Sequence, residues 1–167
     1  MADPAKSSLM NHSTGILTKD ACVVLVRTEW NRSIVDELEK GARKVLQEQG
    51  ISSVTCLEVP GAVEIPFAIS ACWENAKKKQ RPDVFISLGA VIRGGTPHFE
   101  YVCKIVTEGV LALNLELPVP VIFGVLTLDN EEQAWERLGG KGGHKGEEAA
   151  MTAIKMIELN RRLKKGS

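Results

Sequence analysis

The 167 residues predict one α/β domain of three layers, α/β/α, with helices on both faces of a four-stranded parallel sheet. Two patterns carry this. Strand-like and helix-like segments alternate four times, as they do when each parallel strand is followed by a covering helix. The strand candidates are nearly continuous apolar runs, which marks strands buried on both faces. The length is that of a single domain large enough to bury a core.

In chain order, residues 1–14 read as a flexible N-terminal arm and 15–167 as the domain, with Gly15-Ile16-Leu17 able to add a short strand. The first strand is expected over 21–27 (ACVVLVR), and a helix over about 33–49. In that helix Ile34, Leu38, Ala42, Val45 and Leu46 recur at helical spacing, and Gly50 stops it. Residues 54–59 form the second strand, turned by Pro60-Gly61. The next helix carries an apolar stripe of Ile65, Ala68, Ile69, Cys72 and Ala76, with Pro66 in its first turn and Lys77 to Lys79 at its end. The third strand spans 83–92 and the helix after it about 98–115, with Val102, Ile105, Val106, Gly109 and Ala112 inward. Pro118-Val119-Pro120 introduces a fourth strand over 121–126. Asp129 or Asn130 then caps a short helix through Arg137. A flexible glycine-rich loop, 139–146, precedes a last helix over about 147–163.

The expected strand order is 2-1-3-4, a flavodoxin-like arrangement. In such sheets ligands bind beyond the carboxyl ends of the strands. Four segments are assigned there: 28–32, 60–64, 90–98 and 123–128. The two open edges and limited core of a four-stranded sheet predict oligomerisation.

Twenty-one basic residues balance 21 acidic ones, so no net charge draws nucleic acid or a membrane surface. The basic run Arg161-Arg162-Leu163-Lys164-Lys165 reads as a solvated helix end. Cys22, Cys56, Cys72 and Cys103 lie in apolar patterns without a CxxC pair, and read as buried reduced thiols of a cytoplasmic protein. No apolar run is long enough for a membrane span, and no carboxylate cluster is spaced for a metal.

Chemistry concentrates in Leu88-Gly89-Ala90-Val91-Ile92-Arg93-Gly94-Gly95-Thr96-Pro97-His98-Phe99-Glu100. Gly94 and Gly95 permit unusual backbone conformations, Thr96 is a cap candidate, and Pro97 suits the first helical position. A helix N-terminus offers free N–H groups to a phosphate, and His98 beside it can take and give a proton. Trp30 follows a strand in a polar setting, where an indole either stacks on a flat heterocycle or simply packs. Glu64 either caps backbone N–H groups or accepts from substrate hydroxyls. Arg137 and Lys145 flank the glycine loop as a phosphate clamp or as two solvated charges. A phosphoacceptor domain would need acidic residues after strand one and an aspartate ending strand three. Thr28-Glu29-Trp30 and Leu88-Gly89-Ala90 stand there instead. Trp30 and Arg32 likewise occupy the place of a flavodoxin's phosphate loop.

The run from Gly89 to Val102 resembles the signature of the 6,7-dimethyl-8-ribityllumazine synthases, which catalyse the penultimate step of riboflavin biosynthesis. The likeness continues through Trp30-Asn31, the stretch Val59-Pro60-Gly61-Ala62-Val63-Glu64-Ile65-Pro66, Pro120-Val121-Ile122-Phe123-Gly124 and the segment 137–146, covering about 15–163. It implies condensation of 5-amino-6-(D-ribitylamino)uracil with 3,4-dihydroxy-2-butanone 4-phosphate, releasing phosphate and water, without metal or organic cofactor. By the same resemblance Trp30 would stack on the pyrimidine. Asn31, Ala62, Val63 and Glu64 would hold the ribityl chain, and Ala90, Val91 and Ile92 would meet the ring. Gly95 and Thr96, with Arg137 and Lys145, would bind phosphate, and His98 would shuttle protons. Phe123 would come from a neighbouring subunit.

Val63 stands where the family often has an aromatic, and His144 where asparagine is usual. The resemblance further implies a homo-oligomer, a pentamer or a shell of twelve pentamers, and makes riboflavin synthase a candidate partner. The short glycine loop is like that of shell-forming members. The alternative is a non-catalytic lumazine- or flavin-binding or shell protein of the same fold, which could dispense with His98 or the phosphate residues.

Overall fold

In the computed structural model, Leu9, Thr18 and residues 20–166 are described. The expected arm and the strand at Gly15-Ile16-Leu17 lie outside the described residues, apart from Leu9, whose side chain packs against the core.

The elements are β1 (Cys22–Thr28), α1 (Arg32–Glu48), β2 (Ser53–Val59), α2 (Ile65–Asn75), β3 (Val84–Ile92), α3 (His98–Glu116), β4 (Val121–Leu128), α4 (Glu132–Glu136), β5 (Leu138–Gly140), β6 (Gly143–His144) and α5 (Lys145–Lys165). Strands β2-β1-β3-β4 form one sheet in that order, and all three pairings are parallel, as expected. The alternation of strand side chains divides the core in two. Val23 and Leu25 of β1, with Val84, Ile86, Leu88 and Ala90 of β3, point to α1 and α5. Val24, Val26 and Phe85 point the other way, to Ile65 and Ile69 of α2 and Val106, Val110 and Leu113 of α3. Burial on both faces explains why β1 and β3 read as unbroken apolar runs.

Several expectations change. Helix α2 ends at Asn75, because Ala76 turns to extended backbone (ψ 129°); Lys77 to Lys79 therefore lie past the helix, and Lys78–Gln80 make a short 3-10 turn. Helix α3 turns Val106, Val110 and Leu113 inward, whereas Ile105 and Ala112 face outward. Gly109 does face inward: a Cβ there would lie 2.4 Å from Cγ of Pro66. Strand β4 runs two residues further than expected, to Leu128. Asn130 Oδ1 accepts from Gln133 N (3.0 Å) at the start of α4, so Asn130 rather than Asp129 is the cap. The four cysteines are free but half-buried rather than fully buried. Arg161 is not a solvated helix end: it pairs with Asp20 (2.7 Å) and Asp83 (3.1 Å), tying α5 to the start of the sheet.

The glycine-rich loop is also ordered differently. Residues 138–144 form the two-stranded β5–β6 hairpin, with Gly139 and Gly143 at positive φ (113° and 73°). Helix α5 starts two residues early because His144 Nδ1 accepts from Glu147 N (3.4 Å) as its cap. The His144 ring lies against Gly41 of α1, where a Cβ would come 2.1 Å from the imidazole. One turn along, a Cβ on Gly146 would lie 2.0 Å from the Leu38 carbonyl oxygen. Two glycines thus let α1, the hairpin and α5 close on one another.

Gly41→Ala is expected to destabilise the fold by about 1–3 kcal/mol through overpacking, despite the roughly 0.5–1 kcal/mol that alanine gains inside a helix. In a His144→Ala background the same change should cost much less, since the clashing ring is gone. Thermal melts of the two single variants and the double variant check this, and simple additivity would contradict it.

Candidate active site

The carboxyl ends of β1, β2 and β3 meet where the strand order reverses between β1 and β3, which is the natural crevice of such a sheet. The β1–β3 ladder ends at Arg27 opposite Leu88, while β3 continues to Ile92. Asn31, just past β1, sits in the left-handed region (φ 56°, ψ 44°), which asparagine tolerates better than most residues. From there its Nδ2 donates to the Ala90 carbonyl (2.8 Å), satisfying an acceptor beyond the end of the ladder. Asn31 is therefore a brace between two strand ends before it is a substrate contact.

Trp30 is 72% exposed, so core packing does not explain it. Its N–H donates to Pro60 O (3.3 Å), and Cδ1 of its ring would lie 3.8 Å from a Cβ on Gly61. The indole thus stands beside the Pro60-Gly61 turn. Glu64 Oε2 accepts from Gly61 N (2.9 Å), the capping role of the two foreseen for it. Its exposed carboxylate retains further acceptor capacity. Ala62 is buried and Val63 half-buried in the same turn. Ala90 is buried, and Val91 and Ile92 are half-buried at the end of β3.

Residues 93–98 lie open to solvent. Gly94 and Gly95 are not at positive φ, so unusual backbone angles are not why glycine stands there. A Cβ on either would meet nothing within 4 Å. What the glycines provide is bare backbone that a ligand can approach closely. Thr96 does not cap α3: Pro97 holds the cap position, one residue later than expected, and among the described residues no side chain caps the first turn. Glu100 N–H donates to Pro97 O (3.0 Å), which leaves the N–H groups of His98 and Phe99 as the ones that can receive an anion. His98, the first residue of α3, is exposed beside them.

The remaining candidates fall elsewhere. Phe123 was expected at a carboxyl end, but it is the third residue of β4 and pairs with Ser87, in mid-β3. That places it about 16 Å along the strand from the level of Ile92, at about 3.3 Å per residue. It is 41% exposed on the edge strand, in a groove shared with Thr127, Lys145, Glu148 and Thr152. Lys145 is not on a flexible loop: it is buried in the first turn of α5, with Nζ on Glu148 Oε1 (2.7 Å). Arg137 ends α4; its Nη1 donates to Gln133 O (3.0 Å), and its carbonyl accepts from Lys145 N (2.9 Å). Each chain therefore carries two separate groups of candidates, one at the crevice and one along the β4 side.

The local sequence pattern assigns no role to Arg93. Its Nε donates to Asp129 Oδ1 (2.8 Å) and its Nη1 to Glu100 Oε1 (2.5 Å), with the guanidinium 4.2 Å from the centre of the Phe99 ring. The hydrogen bond from Arg93 holds the Asp129 carboxyl below the usual carboxylate range. Its place between a strand end and a glycine turn was the available signal. Burial pushes the thiols of Cys56, Cys72 and Cys103 upward, which disfavours thiolate chemistry at neutral pH. Among the described residues no three His, Cys, Asp or Glu side chains converge as a metal site requires, and no helix is long and apolar enough to cross a membrane.

Asn31→Ala and Asn31→Gly should both lose the bond to Ala90, but glycine accepts the left-handed backbone that alanine would strain. The expected order of stability is wild type, then Asn31→Gly, then Asn31→Ala, with the alanine variant down by about 1–3 kcal/mol in denaturant titration.

The family model described as 6,7-dimethyl-8-ribityllumazine synthase matches residues 20–161. A 6,7-dimethyl-8-ribityllumazine synthase of Porphyromonas gingivalis is 45% identical over 145 residues, covering 86% of this chain and 88% of that protein. Those of Cytophaga hutchinsonii and Parabacteroides distasonis are 46% and 42% identical, covering 80% and 81% of this chain and 82% and 84% of theirs. With this likeness along nearly the whole domain, the chain belongs to the 6,7-dimethyl-8-ribityllumazine synthase family.

Proposed function

We propose that the two groups of candidates work together across subunits in the reaction of this family, the condensation of 5-amino-6-(D-ribitylamino)uracil with 3,4-dihydroxy-2-butanone 4-phosphate. The observation that carries the reading is the crevice between β1 and β3, with an exposed indole on one side and an uncapped helix N-terminus bearing a histidine on the other. Trp30 stacks on the pyrimidine. Asn31, Ala62, Val63 and Glu64 hold the ribityl chain, and Ala90 to Ile92 line the ring. Gly95 and Thr96 present backbone N–H groups to the phosphate, where charge-assisted bonds are strong. His98 moves protons as the imine forms and phosphate departs. Holding two substrates in one orientation removes an entropic cost of up to roughly 7–11 kcal/mol, so positioning outweighs the histidine's share of about 10²–10⁴ in rate.

Phe123 lies too far back along β4 to cover its own chain's crevice, which supports a site completed by a neighbouring copy. Lys145 shares the groove of Phe123, and Arg137 is tied to Lys145, so these three belong to the neighbour's contribution. A closed ring then gives every crevice a partner, as in the pentamer or shell of pentamers that the resemblance implies. The half-buried free thiols suit a cytoplasmic enzyme. Trp30, Glu64, His98 and Arg137 all being present favours the enzyme over a binding or shell protein alone.

Mixing the purified protein with both substrates and following lumazine absorbance tests the reaction; no rate above the uncatalysed background would overturn it. Arg137→Ala should chiefly raise KM for the butanone phosphate, and His98→Ala should chiefly lower kcat, by about 10²–10⁴ if proton transfer is its whole role. Chains carrying His98→Ala, co-assembled with chains carrying Arg137→Ala, should regain activity that neither has alone. Recovery is expected because some sites then receive both native residues, and its absence would place both in one chain's site.

A further inference from the structure

We propose that Arg93 is a positioning residue that holds the phosphate turn and His98 in place, with Asp129 and Glu100 as its two anchors. The inference rests on the phosphate reading of that turn given above.

The turn has little to hold it. Residues 93–98 are exposed, Gly94 and Gly95 have no neighbour within 4 Å of a Cβ position, and no side chain caps α3. Such a segment would sample many conformations, since fixing each residue's backbone costs roughly 1–2 kcal/mol. Arg93 stands at its entrance. The Arg93 N–H donates to Leu128 O (2.8 Å), continuing the β3–β4 ladder from the last residue of β4 to one residue past the end of β3. Its guanidinium reaches in two directions: Nε to Asp129 beyond β4, and Nη1 to Glu100 in the first turn of α3. Its face lies on the ring of Phe99, the residue after His98. One planar group thus joins the end of β4 to the start of α3 and spans the turn between them. Arginine suits this because its fork bonds two carboxylates in fixed directions while its face stacks.

Arg93 could instead meet the phosphate directly, and the two roles predict opposite effects of removing its anchors. In the direct role, Asp129→Asn or Glu100→Gln frees the guanidinium, so KM for the butanone phosphate stays level or falls. In the positioning role, either change loosens the turn and raises that KM by roughly two- to fivefold, the worth of one exposed ion pair. Arg93→Ala should do the same and lower kcat by up to about 10²-fold, as a displacement of 1 Å at His98 can. KM for the pyrimidine and the melting temperature should not move, because Arg93, Glu100 and Asp129 are all exposed and such ion pairs add little stability.

The experiment is steady-state kinetics on the assembled full-length protein and these three variants, with hydrogen exchange of residues 94–100 measured without substrate. Faster exchange in Arg93→Ala and Asp129→Asn, together with the raised KM, supports the clamp. Unchanged exchange, or a level or lowered KM in Asp129→Asn, overturns it. If the native protein makes no lumazine the synthase reading fails, and the exchange measurement still decides whether Arg93 holds the turn.

Discussion

The bond from the Asn31 side chain to the Ala90 carbonyl joins the chain just past β1 to the end of β3, at the crevice where the candidate residues of both strand ends lie. Parallel strands must separate at the point where the sheet's order reverses, and separation leaves backbone groups without ladder partners. Asn31 satisfies one of them and, by taking a left-handed conformation, turns the chain from β1 into α1. Trp30 is carried outward by the same turn. The crevice is therefore braced at its floor, where the two strand ends part.

The sheet also explains why the candidates fall into two groups. Its central strands are covered on both faces, so their carboxyl ends are rigid platforms. Among the described residues strand β4 has a neighbour on one side only, and Phe123 stands on it level with the middle of β3. A side chain there serves a surface at the sheet's edge. Lys145 reaches that surface because His144 fits against Gly41 and starts α5 early. The packing of α1 on α5, remote from any substrate, thereby sets what the edge presents.

Glycine does two different jobs in this chain. At Gly139 and Gly143 the backbone takes angles that favour glycine, which lets the hairpin form. At Gly94 and Gly95 the angles are ordinary and the missing side chain is what matters. Open backbone accepts a ligand but holds itself poorly, so its stiffness has to come from elsewhere. The forked contacts of Arg93 lie where that stiffness is needed.

The sequence by itself determined the layers, the strand order and the crevice. Alternating apolar runs and helical stripes depend on local periodicity, and periodicity follows from burial on one face or two. It also marked Trp30 and His98, because aromatic and titratable residues just past apolar strands have few structural duties there, and Glu64, whose capping duty was one of its two readings. Only the tertiary structure decided the register that moves Phe123 from a strand end to the middle of an edge. The extra residues of β4 are apolar or β-branched and look alike whether paired or not. It alone showed that Asn31 is a brace, that Lys145 is buried against Glu148, that Arg161 ties α5 to Asp20 and Asp83, and that Arg93 spans the glycine turn. Each of these joins residues far apart in the chain or separated by a turn, and no local pattern of apolar and polar residues records which charged groups meet.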